Sequence, residues 1–209
     1  ISRVGTGYEK IDVREANRRG LVVTNVPGAF TDVLADHAML LILMYARQMP
    51  FLLRSRQSHH WPAPQEFPAT GDLGEQTLGI IGFGPSGQAL AKRALAFGMK
   101  VKAWSRTRKP EIAAQLGVTE VGFEEALNCD YVSLHVALTP DTSHIIDTQS
   151  LKHFKSSGVL INIGRGGLVD ETALIEALDS DRLRGAGLDV VDPEPLPPSS
   201  PLWEHKKVE

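Results

Sequence analysis

The chain has 209 residues, 42% of them hydrophobic and 22% charged, with a formal net charge of −3. That length suits one good-sized core, or one domain plus part of another, on a prior of roughly 150 residues per domain. The charge balance argues against a nucleic-acid surface, which needs clustered positive charge, and no apolar run approaches the ~18 residues of a membrane span.

A single cysteine, Cys129, excludes an internal disulfide framework and fits a reducing, cytoplasmic setting. The opening "ISRVGTGYEKID" has neither an initiator Met nor a basic-then-apolar leader, and "PLWEHKKVE" stops without a closing element, so the expectation is a piece of a longer polypeptide. After it, Asp12 is placed to cap a short helix, and "LVVTNV" (Leu21 to Val26) reads as a buried strand closed by a turn at Pro27 and Gly28. From Asp32 to about Gln48, Leu34, Ala38, Leu41, Ile42 and Tyr45 recur at helical spacing, and Pro50 opens a second helical segment toward His59. The Pro-rich stretch His60 to Asp72 is an extended connection.

Beyond it the pattern becomes regular. Strands are expected at Thr77 to Ile81, Lys100 to Trp104, Asp130 to Val136, Gly158 to Ile163 and Gly185 to Val191, with a weaker one near Val118. Helices fall between them, the clearest being Pro85 to Phe97, stopped by Gly98, and Asp170 to Asp179, which begins with a cap and an acidic first turn. Alternation of this kind predicts an α/β fold, a Rossmann-type doubly wound parallel sheet.

"GFGPSG" sets Gly82, Gly84 and Gly87 in GxGxxG spacing directly after a strand and opening a helix. The first glycine permits a tight turn, the second lets a diphosphate approach the backbone, and the third lets helix and strand pack closely, while the helix N-terminus offers free N–H groups. In open α/β sheets ligands bind beyond the carboxyl ends of the strands. Three more segments lie there: "NIGRGG", with Arg165 free to reach a carboxylate or carbonyl oxygen; "LDVVDPEP", with Asp189 and Glu194; and "HVALTPDT", with Ala137 and Leu138 in its loop.

The segments "GTGYEKID", "RRGLVVTNVPG", "GIIGFGPSG", "LHVALTPDT", "LINIGRGGLVDETALIEAL" and "AGLDVVDPEPLP" together resemble, in order and spacing, the NAD(P)-dependent D-isomer-specific 2-hydroxyacid dehydrogenases, across essentially the whole chain. Among subfamilies, "TDVLADHA", "WSRTRKPE" and "PEPLP" look most like glyoxylate/hydroxypyruvate reductases. The resemblance implies that residues 1–30 are the remnant of a substrate-binding domain. It implies that residues 31–209, including a linking helix over 32–58, are the NAD(P)-binding domain.

It further implies that Arg165 is the catalytic arginine holding a small 2-keto acid, and that Glu194 pairs with a catalytic histidine. Asp189 becomes a contact to the nicotinamide end; Pro85 and Ser86 lie against the diphosphate; Ala137, Leu138, Ile163 and Gly164 line the cofactor; and the backbone of Thr6 and Gly7 receives the substrate carboxylate. In the family that histidine sits in a Pro-His pair one strand further on, and none of the seven histidines here fits it, so this chain is expected to bind cofactor with little turnover. Pro85-Ser86 stands where the family commonly has Arg-Ile, and Ala137 where proline is usual. A homodimer is implied as well, with the long helix near the interface.

A Rossmann fold that binds NAD carries an acid about 20 residues after its glycine loop, to hold the ribose 2′-hydroxyl. Here that position reads Ser105, Arg106, Thr107 and Arg108, followed by Lys109. Cations there favour a 2′-phosphate, which makes NADP the preferred cofactor with NAD possible. No Tyr-x-x-x-Lys pair supports a short-chain reductase, and no His/Cys spacing suits a metal. The alternative of another class is a dinucleotide-sensing, corepressor-like binding protein on the same fold.

Overall fold

The computed structural model describes residues 1–68 and 71–209. Its centre is a six-stranded, all-parallel sheet in the order β3-β2-β1-β4-β5-β6. The strands are β1 (Thr77–Ile81), β2 (Lys100–Trp104), β3 (Thr119–Glu120), β4 (Tyr131–Leu134), β5 (Val159–Asn162) and β6 (Gly185–Leu188). This is the doubly wound order expected of the sequence, with its switch point between β1 and β4.

Strand side chains alternate between two layers, as the period of two requires. Leu78, Ile80, Tyr131, Val159 and Ile161 face a core closed by α2 (Thr31–Ala46) and α4 (Pro85–Ala96). Ile81, Val132, Leu134, Leu160 and Ala186 face the opposite layer, closed by α6 (Phe123–Leu127), the turn Ser150–His153 and α7 (Glu171–Asp179). Being covered on both sides, the strands read as continuous apolar runs. Asp170 caps α7 by accepting from the Ala173 N–H at 3.1 Å. Proline opens α4, α3 (Met49–Gln57) and α5 (Pro110–Leu116), where a missing N–H is harmless.

The long helix α2 belongs to this packing. Arg93 on α4 reaches Asp36 at 2.6 Å and Asp32 at 3.2 Å, and the Tyr45 hydroxyl lies 2.8 Å from the Ala186 carbonyl and 2.9 Å from that of Lys207. Exposed pairs such as those of Arg93 contribute roughly 0–1 kcal/mol each. The apolar face of α2, with Ala35, Ala38 and Ile42 fully buried, therefore does most of the holding.

Two expectations are corrected. Leu21 to Val26 is not a buried strand: it makes one isolated parallel bridge, Thr24 to Ser2, and leaves Leu21, Val22 and Val26 exposed. A strand needs a ladder on a sheet edge, and what lies beside this run among the described residues is the short segment Ile1 to Thr6. Asp189 lies one residue past β6 instead of inside it, because the ladder with β5 ends at Asn162↔Leu188. The expected helix capped by Asp12 forms as α1 (Val13–Arg18), with the carboxylate accepting from Glu15 N–H at 2.8 Å. Of the expected connection His60 to Asp72, residues 69 and 70 lie outside the described residues; Pro64–Glu66 forms one 3-10 turn.

Candidate active site

The glycine-rich loop leaves β1 beside the end of β4. Gly82 has φ +105°, a region that L side chains rarely adopt, and a Cβ there would stand 2.6 Å from the His135 carbonyl. A Cβ on Gly87 would stand 2.3 Å from the Gly82 carbonyl oxygen, so helix and turn touch backbone to backbone. Gly84 differs: its φ is −80° and a Cβ would meet nothing within 4 Å. Packing does not demand a glycine at that position, so the bare backbone there and the first N–H groups of α4 present an open, polar surface of the kind that suits a diphosphate.

Ser86, expected against the diphosphate, has its hydroxyl 3.1 Å from Nδ1 of His135, whose Nε2 is 3.0 Å from the Ser133 hydroxyl. Burial pushes the His135 imidazole down to about 4, so it stays neutral and pins the start of α4 to the end of β4.

At the end of β5, Asn162 is buried with both ends of its amide engaged. Its Oδ1 accepts from Gly164 N–H at 3.1 Å and its Nδ2 donates to the Arg165 carbonyl at 2.9 Å, so the turn carrying Arg165 is held from beneath. Arg165 donates from Nη1 to the Gly164 carbonyl at 2.7 Å and from Nε to Glu9 at 3.1 Å. Its Nη2 lies against Gly7, where a Cβ would come within 2.0 Å. Thr6 and Gly7 have their carbonyls engaged by Asn25 and Arg3, while their N–H groups have no partner among the described residues. The unused N–H groups of the guanidinium thus lie against Gly7 together with the Glu9 carboxylate, beside two amides that have no partner among the described residues, an arrangement suited to a small carboxylate.

Asp189 is half-exposed and 3.3 Å from His37 Nε2 on α2. Glu194 is exposed in the Asp192–Pro195 turn, with no hydrogen-bond partner among the described residues. Ile163 is buried in the core layer that α2 helps to close, so it can meet a cofactor through its backbone. The Ala137 carbonyl accepts from the Thr142 hydroxyl at 2.7 Å, and Leu138 sits over Gly167.

After β2, the four expected 2′-phosphate residues separate. Ser105 gives its hydroxyl proton to the Thr107 carbonyl at 2.7 Å, and Arg108 Nε faces Glu120 at 3.5 Å. Thr107 is exposed, and Arg106 is exposed with no ion-pair partner among the described residues. Sequence reasoning missed Glu9, His37, Asn162, Glu120 and His135 as site residues. Of these only Asn162 carried a signal, a polar residue inside an apolar strand.

Residues 39–209 match the NAD-binding domain of the D-isomer-specific 2-hydroxyacid dehydrogenases. Over 202 residues the chain is 46% identical to a glyoxylate reductase of Thermococcus litoralis, covering 93% of this chain and 61% of that protein. It is 38% identical over 209 residues to a D-3-phosphoglycerate dehydrogenase of Mycobacterium bovis, covering 39% of that protein. A crystal structure of a glyoxylate reductase from Paecilomyes thermophila superposes with a TM-score of 0.88 at 33% identity, over 100% of this chain and 63% of that one. A D-lactate dehydrogenase with NAD+ from Lactobacillus jensenii superposes at 0.84 and 28% identity, over 100% of this chain and 67% of that one. The chain thus spans about three fifths of the length of the glyoxylate reductases it matches. Matched over most of its length to that NAD-binding domain, the chain belongs to the D-isomer-specific 2-hydroxyacid dehydrogenase family, an oxidoreductase family.

Proposed function

We propose that this chain is the cofactor-binding part of a reductase that moves a hydride from NADPH to a small 2-keto acid of the glyoxylate or hydroxypyruvate type, giving the D-2-hydroxy acid. The observation that carries the reading is Arg165 lying against Gly7, beside the Thr6 and Gly7 amides that have no partner among the described residues. The bound dinucleotide supplies the hydride. The chain's own groups bind and orient: the amides take the substrate carboxylate, and Arg165 holds the keto oxygen and stabilises the charge that grows on it as the carbonyl carbon is reduced. That oxygen must then gain a proton. Glu194, exposed and unpartnered among the described residues, is available to pair with an imidazole donor and raise its pKa toward neutrality.

The cofactor choice rests on the turn after β2. It offers no carboxylate to a ribose 2′-hydroxyl, and Arg106 is free to bind a 2′-phosphate. The homodimer belongs to the same proposal, since the outer side of α2 exposes Val33 and Leu40. So does a cytoplasmic setting; no helix among the described residues is long and apolar enough to cross a membrane.

The test is a titration of NADPH and NADH into wild type and Arg106→Asp, with turnover measured on a panel of 2-keto acids for the complete enzyme. Tighter NADPH binding in wild type, inverted in Arg106→Asp, and turnover on glyoxylate or hydroxypyruvate are expected. Equal binding of both cofactors refutes the NADPH assignment, and cofactor binding without turnover on any keto acid would favour the dinucleotide-sensing alternative.

A further inference from the structure

Lys109 closes the turn after β2 and touches three elements. Its carbonyl accepts from Ala113 N–H at 2.9 Å, starting α5. Its N–H donates to Glu120 Oε1 at 2.7 Å, and its ammonium donates to the Phe83 carbonyl at 3.1 Å. Phe83 stands between Gly82 and Gly84, and its side chain is buried. The ammonium therefore bridges the gap between the glycine loop and the basic turn, the two loops that leave neighbouring strands β1 and β2 on the ligand side of the sheet. The adenosine ribose of a dinucleotide must pass between those loops to join a diphosphate on one to a 2′-group on the other.

Glu120 explains how Lys109 is held. It lies on edge strand β3, paired with Ala103 of β2, and its side chain is only 8% exposed. Turned inward, it is not a displaced ribose-binding acid. One oxygen fixes the Lys109 backbone; the other is buried without a hydrogen-bond partner, with Arg108 Nε 3.5 Å away. A carboxylate left this dry anchors a cation, and the one beside it, Arg108, belongs to the same turn as the Lys109 backbone that it fixes.

We infer that Lys109 is a specificity-determining residue for the 2′-end of the cofactor and that Glu120 is its positioning residue, an inference that rests on the NADPH reading above. The Phe83 carbonyl is a neutral acceptor. A 2′-phosphate ester is a dianionic one and makes the stronger, charge-assisted bond, so it takes the ammonium; a 2′-hydroxyl does not.

The experiment measures NADPH and NADH dissociation constants by nicotinamide fluorescence in the full chain, for wild type, Lys109→Met, Lys109→Arg, Glu120→Ala and Glu120→Gln, with circular dichroism to verify the fold. Lys109→Met is expected to weaken NADPH by about tenfold while changing NADH by less than about twofold, with Lys109→Arg retaining most of the preference. Glu120→Ala is expected to weaken NADPH severalfold, and Glu120→Gln, which keeps an acceptor for the Lys109 N–H, to stay close to wild type. If wild type binds both cofactors equally, the NADPH reading itself falls. If wild type prefers NADPH and Lys109→Met keeps that preference, or loses both cofactors alike, Lys109 alone is overturned. Equal effects of the two Glu120 variants would overturn the positioning role.

Discussion

Two glycines three residues apart separate folding from binding. Adding a methyl to Gly87 drives it to 2.3 Å from the Gly82 carbonyl oxygen and 3.0 Å from Ile80 Cγ2. Neither neighbour is a flexible side-chain end, so α4 must back away from the turn, an overpacking of about 1–3 kcal/mol, offset in part by the better helix propensity of alanine, about 1 kcal/mol. A methyl on Gly84 meets nothing within 4 Å and needs no change in φ. There the weaker N-cap, about 1 kcal/mol, is nearly balanced by the reduced freedom of the unfolded chain, about 0.4–1 kcal/mol. Gly84→Ala should therefore unfold in urea within about 1 kcal/mol of wild type while binding NADPH and NADH more than about tenfold more weakly, a loss above ~1.4 kcal/mol. Both cofactors suffer alike because the diphosphate is common to them. Normal cofactor binding by Gly84→Ala, or destabilisation matching that of Gly87→Ala, would refute the assignment of this loop as the diphosphate cradle.

His135 makes a pH prediction. Its folded value of about 4 lies below the ordinary 6.5, so the unfolded chain takes up a proton that the folded chain refuses. The full contribution is present above pH ~6.5 and declines as the pH falls toward ~4, by up to about 1.4 kcal/mol per unit. Urea unfolding of wild type and His135→Gln at several pH values should show the variant lacking this slope; parallel profiles would count against it. Asn162→Leu strands the Gly164 N–H and the Arg165 carbonyl together and should destabilise by about 2–4 kcal/mol, read from chemical denaturation, whereas a loss below ~1 kcal/mol would mean that water replaces the amide. Glu9→Gln removes the carboxylate that occupies Arg165; stability should change by less than about 1 kcal/mol because the pair is partly exposed, while glyoxylate binding measured by calorimetry tightens severalfold. Unchanged affinity would show that Glu9 does not compete for the guanidinium.

The fold was legible because its signals are local. β1 and β2 occur where the apolar runs put them, and α4 begins at the Pro85 that follows the glycine loop. Each of these rests on a hydrophobic period or a cap that neighbours in the chain create for themselves. The strand at Leu21 to Val26 failed for the complementary reason: an apolar run is a strand only if another strand lies beside it, and that partner is not a property of the run.

Site residues divide along the same line. Gly82, Gly84 and Gly87 mark the proposed cradle by their spacing, and Arg165 stands out as a candidate by its place after a buried strand. Sequence alone thus determined a Rossmann-type sheet with a dinucleotide loop and a basic turn in place of the ribose acid. Tertiary structure alone decided which cations in that turn are free. Glu120, 11 residues beyond Lys109, claims its backbone and pairs with the still exposed Arg108, leaving Arg106 without an ion-pair partner among the described residues. It also brought Glu9 to Arg165 across 156 residues and His37 to Asp189. Pairings of charge follow distance in space, and folding sets that distance with no trace in the local pattern.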